Sequence, residues 1–368
     1  MANEFSTLTP LAPPRLHWHD RALLKIAKLS QTWPLTIASF IVGFLEVVVN
    51  ISQLVLQYNL GSLTLKRRQL WIDQAKAKAL ETGSQRIAIV TGGNTGLGYE
   101  TAKALVEAGY RTVIACRTIA RAEEAVERLE TETGTKGQIS VLALDLASQQ
   151  SVKDFVRNFK GLGFQHLDVL VNNAGMMNIP FGLTKEGYEM QFGVNHLGHY
   201  LLTLQLLPLL NKAPQGRIVV LSSGAMYSST QIPYDQLQDP KAYSPLGNYS
   251  YSKLADMLFA KALSRRLQQA KSKVTVNACH PGACSTELFR HDPVVNALMF
   301  PARLIMRSAL RGAMSSIYLA LAPGLENVTG EYFFDQIPRT PHPIALEEDA
   351  QELLWKKSVE WTGVDFAL

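Results

Sequence analysis

Cysteine is scarce in this 368-residue chain: Cys116, Cys279 and Cys284 are its only three. Three cannot build a disulfide framework, and no Cys-x-x-Cys pair or His/Cys cluster has zinc spacing. A disulfide scaffold and a zinc module are thereby excluded, and no metal site is expected. Charge is sparse too. Asp, Glu, Lys and Arg make up 18% of the residues against 47% hydrophobic, which is the opposite of a disordered profile. The net charge of +5 contains one tight basic run, Lys66-Arg67-Arg68. Binding to a phosphate backbone needs a concentrated basic face, so nucleic acid is not an expected partner. Internal repeats and low-complexity tracts are absent. The composition is that of a protein from a reducing compartment, with one large core and an N-terminal extension.

Within the extension, Pro10, Pro13 and Pro14 disfavour helix, and residues 20–33 then read as a short amphipathic helix. Residues 35–56 are mostly apolar, close to the ~20 that a bilayer-crossing helix needs. They begin too late and run too long for a secretory signal, and no Ala-x-Ala site follows. Ser39, Gly43, Glu46, Asn50, Gln53 and Gln57 line one helix face. Glu46 at mid-span costs roughly 2.5–3.5 kcal/mol, which the surrounding Leu, Ile, Val and Phe, at about −0.3 to −0.6 kcal/mol each, can outweigh. The pattern predicts a cytosolic or interfacial segment over 1–34, a membrane-anchor helix over 35–57 and a charged helical stalk over 58–82. The polar stripe would pack on protein or on a second copy of the chain, which would make a homodimer. A helix lying in the interface and a helix docked on the following domain are the alternatives.

From residue 86 short apolar runs alternate with amphipathic stretches. Strands are expected at 86–90, 112–116, 140–144, 167–171, 217–221, 274–278 and 332–334, with helical periodicity at 99–108, 120–129, 152–159, 191–210, 250–269 and 347–355. Fully apolar strands alternating with helices mean a parallel sheet covered on both faces. Residues 83–368 are therefore expected to form one α/β, doubly wound domain of seven strands.

The first strand ends in Thr91-Gly92-Gly93-Asn94-Thr95-Gly96-Leu97-Gly98 and opens a helix. Glycines at 92, 96 and 98 suit a tight turn, close approach to a pyrophosphate and helix-on-strand packing, and the helix start offers backbone N–H groups to phosphate. The expected fold is thus a Rossmann domain. After the second strand an NAD site carries an acid for the ribose 2′-OH; here Arg117 follows Cys116, and its planar fork suits a 2′-phosphate. NADP(H) is the expected cofactor. Asp145-Leu146 after the third strand and Asn172-Asn173-Ala174-Gly175 after the fourth stand at carboxyl ends of strands, where the nucleotide crevice lies.

Ser222-Ser223 ends the fifth strand, and Tyr249-Ser250-Tyr251-Ser252-Lys253 opens the next long helix. Tyr249 and Lys253 are four apart and share a helix face, whereas Tyr251 points elsewhere. A phenol titrates near pH ~10; lowering that by about 3 units needs about 4 kcal/mol, which an ammonium and a cationic nicotinamide can supply. Tyr249 could then exchange a proton with an alcohol or carbonyl oxygen held by a serine hydroxyl.

In combination and order these motifs resemble the short-chain dehydrogenase/reductase family, in particular its retinol-dehydrogenase-like group, from residue 86 to the end. The resemblance implies a catalytic tetrad of Asn195, Ser223, Tyr249 and Lys253, with Asn195 helping to hold a water that links Lys253 to solvent. It matches the second serine of the pair better than the first. It also implies nicotinamide contacts from Pro281, Gly282 and Thr286 in Pro281-Gly282-Ala283-Cys284-Ser285-Thr286. The spacing from Ser223 to Tyr249 contains an insertion, 231–244, that the retinol-dehydrogenase-like members share. His196, His199 and Cys284 read as packing or supporting groups. Asn248-Tyr249-Ser250 is a glycosylation sequon inside the site, which fits a domain facing the cytosol.

The apolar, methionine-containing stretch 294–306 would cover a substrate or touch a membrane, with Arg303, Arg307 and Arg311 facing headgroups. Together these features predict an oxidoreductase anchored in the endoplasmic reticulum membrane, acting on a retinoid, isoprenoid, sterol or long-chain aldehyde. A catalytically silent nucleotide-binding scaffold and an enzyme resembling light-dependent protochlorophyllide reductase are the competing readings.

Overall fold

A computed structural model of the chain describes residues 18–29, 37–38, 41–42, 45, 48, 61–284 and 306–368. Most of the expected anchor over 35–57, Thr286, Arg303 and most of 294–306 lie outside the described residues. Among the described residues no helix is long and apolar enough to cross a membrane.

The sheet is built from β1 (Arg86–Thr91), β2 (Tyr110–Cys116), β3 (Ile139–Ala143), β4 (Val169–Asn172), β5 (Arg217–Leu221), β6 (Thr275–His280), β7 (Tyr332–Phe334) and β8 (Ile337–Arg339), in the order β3-β2-β1-β4-β5-β6-β7-β8. All neighbours are parallel except β7 and β8. Eight strands replace the expected seven. The eighth escapes sequence pattern because it is three residues long, contains Pro338 and follows a two-residue turn without glycine. Asp335 and Gln336 take φ of +52° and +60° there, the conformation a tight hairpin demands.

Alternation along the strands feeds two cores. Ile87, Ile89, Leu170, Ile218 and Val220 face one side; Ala88, Val90, Val169, Val171 and Val219 face the other. The first face is covered by α1 (Trp18–Leu29), α5 (Gln149–Gly161), α6 (Gly198–Leu210), α7 (Pro245–Gln269) and α9 (Glu348–Thr362). The second is covered by α2 (Gly61–Thr82), α3 (Gly96–Glu107), α4 (Ile119–Thr133) and α8 (Ala309–Leu321). The helix expected as a stalk, α2, lies against the domain: Ile72 is fully buried and Trp71 packs on Tyr318 with ring centroids 5.1 Å apart. Helix α1 docks too, through buried Leu23, Ile26 and Ala27 and an ion pair from Asp20 to Arg339 of β8 at 2.8 Å.

Strands are added outward on one side from β1 to β3 and on the other from β4 onward, so the strand order reverses between β1 and β4. In such sheets ligands bind at this switch point, beyond the carboxyl ends of the strands.

Candidate active site

The glycine turn sits at the switch point. Gly92 and Gly96 take φ of +63° and +58°, which favours glycine. A Cβ on Gly98 would lie 2.3 Å from the Gly92 carbonyl oxygen and 2.4 Å from Asn173 Nδ2, so α3 can begin this close to β1 only without a side chain there. Thr95 caps α3 without a side-chain hydrogen bond, so its hydroxyl does not take up the first helical amides, groups that at a helix start suit phosphate. Backbone donors over a side-chain-free cradle fit a dinucleotide pyrophosphate. The Asn94 carbonyl accepts from Arg128 at 3.3 Å, which ties this turn to α4.

Of the groups expected around it, Arg117 stands exposed just beyond β2 and carries no ion pair among the described residues. Asp145 follows β3, half-buried, with Oδ1 accepting the Ala147 amide at 3.1 Å; Leu146 beside it is buried. Asn172 ends β4 with its side chain buried against α6, where Nδ2 donates to Thr203 at 2.8 Å. The next residue does the work at this turn: Asn173 Nδ2 donates to the Thr91 and Gly92 carbonyls at 2.8 and 3.3 Å, clamping the glycine turn to β4.

Gly175 brings this turn to the polar centre. A Cβ on it would lie 3.3 Å from Asn195 Oδ1 and 3.9 Å from Lys253 Nζ, so the Ala174-Gly175 backbone, Asn195 and Lys253 converge on one spot. Asn195 lies in a single π turn, Gly193–Leu197, between Met190–Phe192 and α6. Such turns are frequent at functional sites. Its amide accepts from Met176 N at 2.9 Å and donates to Met176 O at 3.0 Å and Ser252 Oγ at 2.9 Å, so it is rigid.

Helix α7 starts at a reciprocal cap. Ser244 Oγ accepts the Gly247 amide at 3.3 Å, Asn248 Oδ1 accepts the Ser244 amide at 3.2 Å, and Pro245 fills the first turn. This fixes Tyr249 and Lys253 one turn apart, with the ammonium 5.9 Å from the phenol ring centroid. Lys253 is stapled to β5 from both ends: Nζ donates to Leu221 O at 2.8 Å, and its carbonyl accepts from Ser222 Oγ at 2.8 Å. Ser222 is thus turned inward. Ser223 is half-buried, and its Oγ accepts the Ala225 amide at 3.2 Å, so its hydroxyl proton remains available to a substrate oxygen. Burial pulls Lys253 towards neutrality, but the Asp256 carboxylate at 2.9 Å and Tyr249 outweigh it and hold the ammonium above the usual lysine range.

His196 and His199 are buried and neutral. Burial lowers them to about 3 and about 4. His196 meets Ser358 of α9 at 2.9 Å. His199 has a role that sequence does not disclose. Its Nδ1 lies 2.9 Å from the Asn195 carbonyl, an acceptor only, which assigns the proton to Nδ1; Nε2 then accepts from the Thr91 hydroxyl at 2.9 Å. Thr91 Oγ1 in turn accepts the Asn173 and Ala174 amides at 2.9 Å each. One imidazole therefore joins the π turn, the glycine turn and the β4 turn.

On the substrate side, Pro281 and Gly282 follow β6. The side chain of Arg307 covers Gly282, where a Cβ would meet its Nε at 2.6 Å. Arg307 was expected to face lipid headgroups. Instead its guanidinium pairs with Asp335 and lies 4.8 Å from the Phe334 ring centroid, because the β7–β8 turn presents a carboxylate to it. Cys284 is a buried thiol bonded to Pro281 O at 3.4 Å.

A doubly wound sheet with a nucleotide cradle at its switch point, and a phenol beside an ammonium on its rim, defines a class: oxidoreductases that use a nicotinamide. The chain belongs to the short chain dehydrogenase family, which residues 86–293 match. It is 41% identical to retinol dehydrogenase 14 of Mus musculus over 295 residues, covering 76% of this chain and 86% of that one. Retinol dehydrogenase 12 of Homo sapiens is 39% identical, with 76% and 87% covered. The short-chain dehydrogenase TIC 32 A, chloroplastic, of Brassica napus is 39% identical, with 74% and 87% covered. A solved structure of an uncharacterized protein from Mycobacterium Paratuberculosis superposes with a TM-score of 0.61 at 32% identity, covering 77% of this chain and 96% of that one. The protein is an oxidoreductase acting on CH–OH groups, retinol-dehydrogenase-like in sequence.

Proposed function

We propose that the protein interconverts a lipophilic alcohol and its carbonyl with NADP(H), using Tyr249 as the acid and base. The observation that carries this reading is the convergence of Asn195, Lys253 and the Ala174-Gly175 backbone beside the glycine cradle, with Tyr249 on the same helix face as Lys253. The bound dinucleotide supplies or accepts the hydride. In reduction, the Ser223 hydroxyl holds the substrate oxygen and Tyr249 gives it the phenolic proton; in oxidation the phenolate takes that proton back. Lys253 lowers the cost of the phenolate, and Asn195 fixes the groups between Lys253 and solvent. Arg117, exposed and unpaired, would hold the 2′-phosphate. Gly92, Asn94, Thr95, Gly96, Leu97 and Gly98 would cradle the pyrophosphate, and Pro281, Gly282 and Thr286 the carboxamide.

The retinol dehydrogenase relatives and the apolar stretch over 35–57 favour a retinoid, isoprenoid, sterol or long-chain aldehyde drawn from a membrane. We infer an anchor in the endoplasmic reticulum with the catalytic domain on the cytosolic side. Three free cysteines support that side, and so does the sequon residue Asn248, because a glycan added there in the lumen would have no room in the buried α7 cap. Release of the protein by high salt without detergent would overturn the anchor.

The direct test supplies purified full-length protein with NADPH or NADH and a panel of retinal, isoprenal, steroid and fatty aldehydes. Tyr249→Phe is expected to lose at least about 100-fold in kcat, and a wild-type rate overturns the reading. Arg117→Ala should raise KM for NADPH about tenfold while leaving NADH nearly unchanged; equal losses refute the preference for NADP(H).

A further inference from the structure

Tyr249, Lys253 and Asp256 stand at i, i+4 and i+7 along α7, on one stripe of the helix. The proton transfer described above uses the first two and leaves the third without a part. Asp256 is only 3% exposed, and its Oδ2 lies 2.9 Å from Lys253 Nζ. The other titratable groups that face this ammonium are Tyr249 on α7, Cys279 on β6, and His196 and His199 on the helical segment after β4. The two histidines are neutral, and burial pushes the Cys279 thiol up to about 12, so it is neutral as well. Burial raises Asp256 to about 6 against the pull of Lys253, which leaves it charged at pH 7. The negative charge facing the ammonium is thus that of Asp256.

Two consequences follow from this placement. Nζ also donates to the Leu221 carbonyl at 2.8 Å and faces Tyr249, so the ammonium keeps partners of its own when the carboxylate is neutralised, and Asp256 adds to that hold. The carboxylate also converts a lone positive charge into a close ion pair, whose field at the phenol is weaker than that of the ammonium alone. A phenol beside such a pair stays protonated to higher pH, and a protonated phenol is the form that donates to a carbonyl.

We propose that Asp256 is a positioning residue that sets the acidity of Tyr249 through Lys253 and biases the site towards carbonyl reduction. The proposal rests on the acid/base reading of Tyr249.

The test titrates Tyr249 directly, by the phenolate absorbance that full-length protein loses on Tyr249→Phe, in wild type and in Asp256→Asn. The asparagine keeps shape and a hydrogen-bond acceptor and removes the charge. Its Tyr249 titration should fall by about one pH unit, and the alkaline limb of kcat/KM for NADPH-dependent reduction should move down with it. Asp256→Glu retains the charge and should titrate with the wild type. An unchanged or raised titration in folded Asp256→Asn overturns the proposal, as does a shift in the glutamate variant as large as in the asparagine. A carboxylate with a purely structural part would lower the melting temperature and leave the titration in place. If the asparagine variant does not fold, Asp256→Ser, with its shorter acceptor, gives the same reading. The two failures separate cleanly. Turnover with an unshifted titration sinks the part given to Asp256, whereas a shifted titration with no turnover on any carbonyl sinks the catalytic reading.

Discussion

His199 shows how far a single side chain can reach in this site. It joins the Asn195 carbonyl to the Thr91 hydroxyl, and it can do so only as a neutral imidazole. Burial lowers its pKa to about 4, while an unfolded histidine titrates near ~6.5. A depressed folded pKa gives stability that is whole above the unfolded value and is lost as pH falls from about 6.5 to about 4. His196 and His342, lowered to about 3 and about 4, add to the same loss. In His199→Gln the fall of melting temperature across that window should be shallower than in wild type, as read by scanning calorimetry at stepped pH; parallel slopes would contradict the assignment. The preference for Ser223 comes from the resemblance alone; Tyr249 and Lys253 are legible as a pair because helix period puts them on one face, and Ser222-Ser223 because strand order places it. Asn173, His199 and Asp256 are not, since each acts through a partner from another element or through the sign of a buried charge, and Asn172 looks equivalent to Asn173 until the pleat turns it towards α6.

Strands and helices follow the apolar pattern closely, because buried parallel strands must be apolar throughout. Their ends shift by a few residues where caps decide: α7 begins at Pro245, five residues before the periodic stretch, through the Ser244–Asn248 cap. Hydropathy carries no signal for the π turn over Gly193–Leu197, which interrupts what reads as one continuous helix, nor for β8. The glycine turn is the element with the least tolerance. Gly98→Ala would drive a methyl into the Gly92 carbonyl and Asn173, so α3 must retreat from β1. Dinucleotide affinity, followed by quenching of intrinsic fluorescence, should weaken at least about tenfold with the melting temperature also reduced; wild-type affinity would show that the helix start has room to move.

At the scale of the whole molecule, the segment ahead of the matched family region is part of the fold. Asp20 of α1 is buried against Arg339 of β8, and removing one partner of such a pair costs about 3 kcal/mol. Asp20→Ala should therefore lower the midpoint of urea unfolding markedly, and Asp20→Leu combined with Arg339→Met should recover most of it; an Asp20→Ala variant as stable as wild type would mean that α1 is bound by its apolar face alone. Composition foretells this extension but not its docking, which depends on a strand that sequence does not reveal. A last consequence comes from the β-bridge between Cys284 and Arg307. Exit from the sheet rim and return to it share one doorway, so residues 285–306 form a detour whose closure cost grows only with the logarithm of its length. Chain length between Cys284 and Arg307 can therefore change while Asn195, Tyr249 and Lys253 keep their stations.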